Sequence, residues 1–154
     1  MFLVDFPQAP IPSRIQPVNL FLPLANECVA AGFPSPADDY IDTGIDLNEH
    51  LILHPASTFF LRVKGCSMIN AGIQNDDLLI VDRSLDARPG CIVVAILDGC
   101  FTLKKLTRHK EVLYLEAEHP NHPAIDMSHY GNVQIWGVAI YAIHKLTRTN
   151  RSLY

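Results

Sequence analysis

The placement of proline divides the chain into two parts with different folding possibilities. Seven of the eleven prolines lie within the first 36 of the 154 residues. Proline fixes its own φ angle, lacks an amide hydrogen and pushes the preceding residue towards extended conformations, so it is excluded from helix interiors. Residues 1–36 are therefore expected to form an extended, mobile arm, and the folded domain is expected to lie further along the chain.

Beyond about Pro55 the sequence favours β-strands. Runs rich in β-branched and aromatic residues are bounded by turn formers, and they predict strands at 58–64, 77–83, 91–98, 100–106, 112–116 and 133–145. Asp98-Gly99 between two apolar runs indicates a two-residue hairpin turn, and Gly137 is expected to bend the long last strand. Only 37–41 and 67–71 have short helical character. The predicted fold class is mostly β, a compact antiparallel β-domain preceded by the arm.

Composition excludes several classes of function. A net charge of −4 argues against a broad basic surface for gripping nucleic acid. No run reaches the roughly 18–20 apolar residues of a membrane span, and the N-terminus lacks the basic start of a secretion signal. We therefore expect a cytoplasmic protein without a membrane partner. The cysteines Cys28, Cys66, Cys91 and Cys100 have no C-x-x-C spacing and are expected to be free thiols.

Ser67 is the first candidate for chemistry. It lies in Gly65-Cys66-Ser67-Met68, directly after a predicted strand. A serine on a tight turn can expose its hydroxyl, and neighbouring backbone N–H groups can stabilise an oxyanion. The alternative is that Ser67 only caps the short turn that follows it. A serine nucleophile also needs a base, and none of the seven histidines lies in a recognisable triad context.

Two adjacent lysines are the other candidates for that base. The Asp98-Gly99 turn places Lys104 opposite Val93 and Lys105 opposite Ile92 on a facing strand that is apolar on both faces. Either lysine could be desolvated there, and neutrality at pH 7 needs a pKa drop of roughly 3 units from about 10.4. Periodicity does not choose between the two, and both could instead be solvated charges of a strand edge.

The segment 30–36, Ala-Ala-Gly-Phe-Pro-Ser-Pro, has the character of a protease substrate. Proline holds the backbone extended, and the small Ala31 and Gly32 leave room for attack at a carbonyl. An ordinary linker is the alternative explanation.

A loose group of possible metal ligands follows the fifth predicted strand and comprises Glu116, Glu118, His119, His122 and Asp126. Its spacing matches no specific metal site, and the prolines within it favour an irregular loop. No metal and no cofactor are expected.

These segments, in this order, resemble the LexA/UmuD family of self-cleaving SOS proteins. The matching segments are 31–36, 65–68, 74–82 and 101–106, and the likeness runs from about residue 30 to 145. The resemblance implies a LexA/signal-peptidase-like fold, Ser67 as nucleophile, Lys104 as general base and Ala31–Gly32 as the scissile bond. One departure is Cys66, where UmuD-like proteins commonly have aspartate. We expect Cys66 to affect packing rather than chemistry.

The resemblance also implies which functional segments the chain contains and which partners it binds. Residues 1–31 would be removed by self-cleavage, 32–50 would link, and 51–154 would form a catalytic domain of the Ser/Lys peptidase type. RecA filaments on single-stranded DNA would stimulate cleavage. The trimmed homodimer would then join a UmuC-type Y-family polymerase for error-prone translesion synthesis.

Two alternatives stay open at this stage. One is a non-catalytic accessory subunit of the polymerase, and the other is a fragment of a LexA-like repressor. Only 31 residues precede the proposed scissile bond, whereas a helix-turn-helix domain needs roughly 60 or more. Direct sequence-specific DNA binding is therefore not expected.

Overall fold

A computed structural model of the chain describes residues 21–25, 31–32, 41–129 and 131–147. These residues form two compact units, and the boundary lies between His50 and Leu51. In the smaller unit, strand β1 (Leu22–Ala25) pairs antiparallel with strand β2 (Ile41–Ile45). Most of the predicted arm and most of the predicted helical segment 37–41 lie outside the described residues. Ile41, the last residue of that segment, begins a strand instead.

Helix α1 (Leu47–Leu51) follows β2 and was not predicted. Buried Asp46 precedes it and accepts a hydrogen bond from the Asn48 N–H at 2.8 Å, which satisfies one of the unpaired amides of the first turn. The strand β1 was also missed, since it contains Pro23. A strand of a two-stranded sheet has one unpaired edge, where proline is tolerated.

The larger unit is built on a seven-stranded antiparallel sheet. In spatial order the strands are β3 (Thr58–Arg62), β4 (Leu78–Asp82), β9 (Val133–Ile143), β5 (Ile92–Leu97), β6 (Cys100–His109), β7 (Val112–Glu116) and β8 (Ile125–Asp126). The mostly-β antiparallel fold class is thus confirmed, and each of the six predicted strands is present. Strand β6 runs three residues further than predicted because residues 107–109 pair with β7. The two-residue strand β8 was missed.

Both faces of β5 are covered, which explains why this strand is apolar throughout. Neighbouring residues of a strand point to opposite faces, and Val93 and Val94 accordingly enter two different hydrophobic clusters. One cluster comprises Met68, Ile73, Leu79, Val81 and Val94. The other comprises Val93, Ala95, Leu106, Leu115 and Val138. The residue after Ser67 is therefore anchored in the core of this unit.

Gly137 lies in β9 next to Val138, the residue that pairs with Asp82 at the end of β4. The pairing of β9 with β5 changes register beside it, since Val94 pairs with Gly137 but Ala95 pairs with Ile135. A Cβ atom at Gly137 would lie only 2.7 Å from Cγ1 of Val81. The glycine expected to bend this strand therefore also permits a close approach of two core strands.

Asp82 ends β4 as a buried carboxylate with several hydrogen-bond partners. It accepts hydrogen bonds from the hydroxyls of Ser57 at 2.9 Å and Ser84 at 2.7 Å, and Nδ1 of His54 lies 2.6 Å away. Burial alone would raise the pKa of Asp82, but the bonds from Ser84, His54 and Ser57 outweigh it and hold that pKa well below its usual range.

The fold is therefore expected to lose stability in acid partly through Asp82. A carboxyl whose pKa is depressed by folding stabilises the protein above its unfolded pKa of about 3.9, and that contribution is lost as the pH falls towards the folded value. Urea denaturation at about pH 6 and about pH 3 measures the loss. Asp82→Asn should be less stable at the higher pH and should show a smaller change between the two. An equal change in both proteins would contradict this assignment.

In the described part of the chain, no helix has the length and apolar character that crossing a membrane requires.

Candidate active site

The Ser67 turn, residues 65–68, connects β3 to a short 3₁₀ helix at Ile69–Ala71. Gly65 has a φ of +100°, a conformation that side chains disfavour, and its N–H donates to Oδ1 of Asn75 at 2.8 Å. Met68 is only 2% exposed and packs into the core. The turn is thus held at both ends, and the half-buried Ser67 lies between the two anchors.

A second layer of contacts holds Asn75 in place. The Val63 N–H donates to the Asp77 carbonyl, and the Asp76 N–H donates to the Val63 carbonyl, both at 2.9 Å. The buried Asp77 carboxylate in turn lies 2.7 Å from Nδ1 of His144. This role of Asn75 was not predicted from the sequence. A signal was present in Asn75-Asp76-Asp77, since Asn and Asp favour turns and Asp76 has a φ of +70°.

The two candidate lysines occupy different environments. Lys104 pairs with Val93 and Lys105 pairs with Ile92, as the hairpin turn predicts. Lys104 is half-buried, its Nζ donates to the carbonyl of Leu103 at 3.2 Å, and burial lowers its pKa. A hydrogen bond to Glu118 raises the pKa of Lys105. Lys104 therefore has the environment that favours a neutral amine, and Lys105 has one that favours the charged form.

One cleft of about 240 Å³ brings the Ser67 turn next to β6. Its walls are largely apolar, with two cationic side chains at the lining, and they comprise Leu61, Arg62, Val63, Lys64, Gly65, Ser67, Met68, Leu79, Val94, Phe101, Thr102 and Leu103. Thr102 and Leu103 directly precede Lys104, which is not itself a lining residue. Such a cleft can accept an extended peptide with small and apolar side chains.

Ala31 and Gly32 belong to the smaller unit and are both exposed. Exposure leaves the backbone between them accessible to a nucleophile. Residues 26–30 and 33–40 on either side lie outside the described residues.

The described histidines do not supply a serine relay of the triad type. His54 and Ser57 both contact the carboxylate of Asp82, so the imidazole does not lie between the hydroxyl and the acid. In a second group, Ser128 donates directly to Asp126, and His129 offers the same Nδ1 atom to both of them, whereas a relay uses both ring nitrogens. Serine chemistry in the described part of the chain therefore rests on lysine as the candidate base.

The loose group of possible metal ligands does not converge. Glu116 pairs with His109, Glu118 with Lys105 and Asp126 with His129. Within 21–25, 31–32, 41–129 and 131–147, no three His, Cys, Asp or Glu side chains are grouped to hold a metal ion. Cys66, Cys91 and Cys100 are free thiols, and Cys28 lies outside the described residues.

Comparison with known proteins identifies the family. Residues 23–140 match the model of the family described as Peptidase S24-like. The chain is 44% identical to Protein ImpA of Salmonella typhimurium over 124 residues, which cover 80% of this chain and 83% of ImpA. It is 40% identical to Protein SamA of Salmonella typhimurium strain LT2 over 135 residues, covering 88% of this chain and 94% of SamA. It is 36% identical to Protein MucA of Salmonella typhimurium over 142 residues, covering 91% of this chain and 93% of MucA. The resemblance drawn from the sequence is thereby confirmed, and the chain belongs to the peptidase S24-like family as a relative of its UmuD-like SOS mutagenesis proteins.

Proposed function

We propose that this protein cleaves its own backbone between Ala31 and Gly32, with Ser67 as nucleophile and Lys104 as general base. The observation that carries the proposal is that Ser67 and the segment leading into the partly buried Lys104 meet at one cleft. Ser67 shares the cleft with the two residues that precede Lys104, and burial lowers the pKa of Lys104. Membership of a peptidase family supports the same chemistry.

The reaction proceeds through an ester intermediate. Neutral Nζ of Lys104 accepts the proton of the Ser67 hydroxyl as Oγ attacks the carbonyl carbon of Ala31. Backbone N–H groups around Ser67 stabilise the oxyanion. The Lys104 ammonium then donates its proton to the departing amine of Gly32. Water attacks the ester with Lys104 again as base, which frees the Ala31 carboxylate and restores the Ser67 hydroxyl.

The substrate is built into the chain. Residues 1–31 form the arm that is removed, 32–50 the linker and 51–154 the catalytic domain. A tethered segment has a high effective concentration at the site, so cleavage needs little intrinsic affinity. The apolar walls of the cleft suit the small and apolar residues around the scissile bond, and both Ala31 and Gly32 are exposed.

The product, residues 32–154, acts in the cytoplasm in the response to DNA damage. RecA filaments on single-stranded DNA stimulate the cleavage without contributing the nucleophile. The trimmed protein forms a homodimer and joins a UmuC-type Y-family polymerase in error-prone translesion synthesis. The relationship to ImpA, SamA and MucA supports this role, and the net charge of −4 is consistent with action through protein partners rather than direct DNA binding.

Alkali alone is expected to start self-cleavage of the purified protein. The base works as the neutral amine, so the rate should rise with pH until Lys104 is deprotonated and then level off. Because burial lowers the pKa of Lys104, that plateau should begin below the ordinary lysine value of about 10.4. Intact-mass spectrometry after incubation between about pH 7 and pH 10 measures the appearance of residues 32–154.

The same assay near neutral pH tests the regulator. Adding RecA, ATP and single-stranded DNA should produce the fragments 1–31 and 32–154, and omitting the DNA should leave the protein intact. An intact mass after long incubation under both conditions would contradict the proposed function, as would cleavage at another bond.

A further inference from the structure

We infer that Glu118 is a positioning residue that holds the Ser67 turn in place relative to β6, the strand that carries Lys104 and Lys105; this inference rests on the proposed function. Glu118 lies two residues after the end of β7. Its backbone carbonyl accepts a hydrogen bond from the Asn70 N–H at 3.0 Å, three residues after Ser67. Its carboxylate accepts a hydrogen bond from Nζ of Lys105 at 2.7 Å, one residue after Lys104. One residue thus contacts the two segments that carry the proposed nucleophile and base.

The hydrogen bond from Asn70 to Glu118 stabilises the short helix that follows the Ser67 turn. Asn70 lies in the 3₁₀ helix Ile69–Ala71, and no side chain caps this helix at Met68. The first amides of a helix lack partners within it and must find them elsewhere. The Glu118 carbonyl supplies one such partner from a distant part of the chain. The position of the turn therefore depends on where the segment at Glu118 is held.

The ion pair with Lys105 holds that segment to β6. The side chains of Lys105 and Glu118 are 38% and 28% exposed, so water screens the pair and its contribution to stability is small. Its geometric effect on catalysis can be much larger, because a misplacement of about 1 Å at reacting groups can cost roughly 100-fold in rate. If Glu118 has a positioning role, removing the pair should slow cleavage strongly. If its role is purely structural, removing the pair should only lower stability slightly.

Glu116, the last residue of β7, provides a control two residues before Glu118. Its carboxylate contacts Nε2 of His109 at 2.8 Å, and its side chain is 32% exposed, close to the value for Glu118. Glu116 is the cross-strand partner of Lys105 but bonds His109, so both replacements remove one partly exposed carboxylate near Lys105 and one ion pair. Only Glu118 also contacts the 3₁₀ helix after Ser67.

The first experiment measures alkaline self-cleavage at a temperature where every variant is fully folded by circular dichroism. Glu118→Ala and Lys105→Met should each slow cleavage roughly 10- to 100-fold, and Glu116→Ala should stay within about twofold of the wild type. The double variant should be no slower than the slower single variant, because both changes break the same pair. The exchanged pair Lys105→Glu with Glu118→Lys should recover part of the rate.

The pH dependence of these rates separates positioning from direct proton transfer. A positioning residue changes the plateau rate and leaves the midpoint of the profile where Lys104 titrates. A midpoint that moves in Glu118→Ala would overturn the inference, and so would an unchanged rate in that variant while the wild type cleaves.

A second experiment tests whether Glu118 holds the segment after Ser67 in place, without relying on cleavage. Amide hydrogen exchange is compared in the uncleavable Ser67→Ala background. Adding Glu118→Ala should accelerate exchange at Asn70 at least several-fold, and adding Glu116→Ala should not. Equal exchange in the two variants would overturn the inference even if the wild type failed to cleave. Failure of the wild type to cleave would count against the proposed function alone.

Discussion

Replacing Lys104 with alanine is expected to abolish measurable self-cleavage, and replacing Ser67 with alanine should do the same. The first change removes the only amine proposed to act as base, and a positioned base contributes about 10²- to 10⁴-fold. The second change removes the nucleophile, so no ester can form. Lys104→Arg should also be inactive, because a guanidinium stays charged at every pH that the fold tolerates.

Lys105 is the matched control for this prediction, since it has the same side chain one position later. Lys105→Ala should be slowed but should still cleave between Ala31 and Gly32, because its ammonium is paired with Glu118 and the proposed base is Lys104. Fragment masses after incubation at about pH 10 give the comparison for all the variants. Full inactivation by Lys105→Ala together with substantial cleavage by Lys104→Ala would reverse the assignment of the base.

Gly137→Ala is expected to destabilise the larger unit by about 1–3 kcal/mol, which is the usual cost of adding a group to a filled core. The added Cβ would lie 2.7 Å from Cγ1 of Val81, which is fully buried, and 3.3 Å from the backbone oxygen of Asp82. A β-branched side chain in a packed core has few other rotamers, so the strands themselves must move. Gly137→Val should cost more.

Urea denaturation compares Gly137→Ala with Gly131→Ala. Among the described residues, a Cβ at Gly131 has no neighbour within 4 Å, and Gly131 has no unusual φ, so that change should have little effect on the free energy of unfolding. Adding Val81→Ala to Gly137→Ala should relieve the clash and recover part of the loss. Equal stabilities of the two glycine variants would refute the proposed close approach.

The parts of the fold that could be predicted from the sequence depend on local information. The Asp98-Gly99 turn is an example, since both residues have positive φ angles of 47° and 83°, as a two-residue hairpin turn requires. That turn alone sets which residues of β5 and β6 face each other, so the partners of both lysines were predicted correctly.

The parts that could not be predicted depend on contacts between distant residues. The choice between Lys104 and Lys105 could not be made from alternation, because β5 is apolar on both faces. The structure separates the two lysines through Glu118, which lies 13 residues beyond Lys105 and is in a loop of no regular pattern. Asn75 and His144 were missed for the same reason, since each acts on a partner that only the folded sheet brings near.

The distant contacts around Ser67 also bear on the stage of synthesis at which the proposed site can form. The N–H of Asn70 donates to the carbonyl of Glu118, which comes 48 residues later in the chain. The Asp77 carboxylate contacts the imidazole of His144, which comes 67 residues later. Synthesis must therefore pass residue 144 before this turn acquires all of these contacts. Under the proposed function, the bond between Ala31 and Gly32 is synthesised long before the Ser67 turn is complete, so the order of translation would delay self-cleavage until residue 144 has been added.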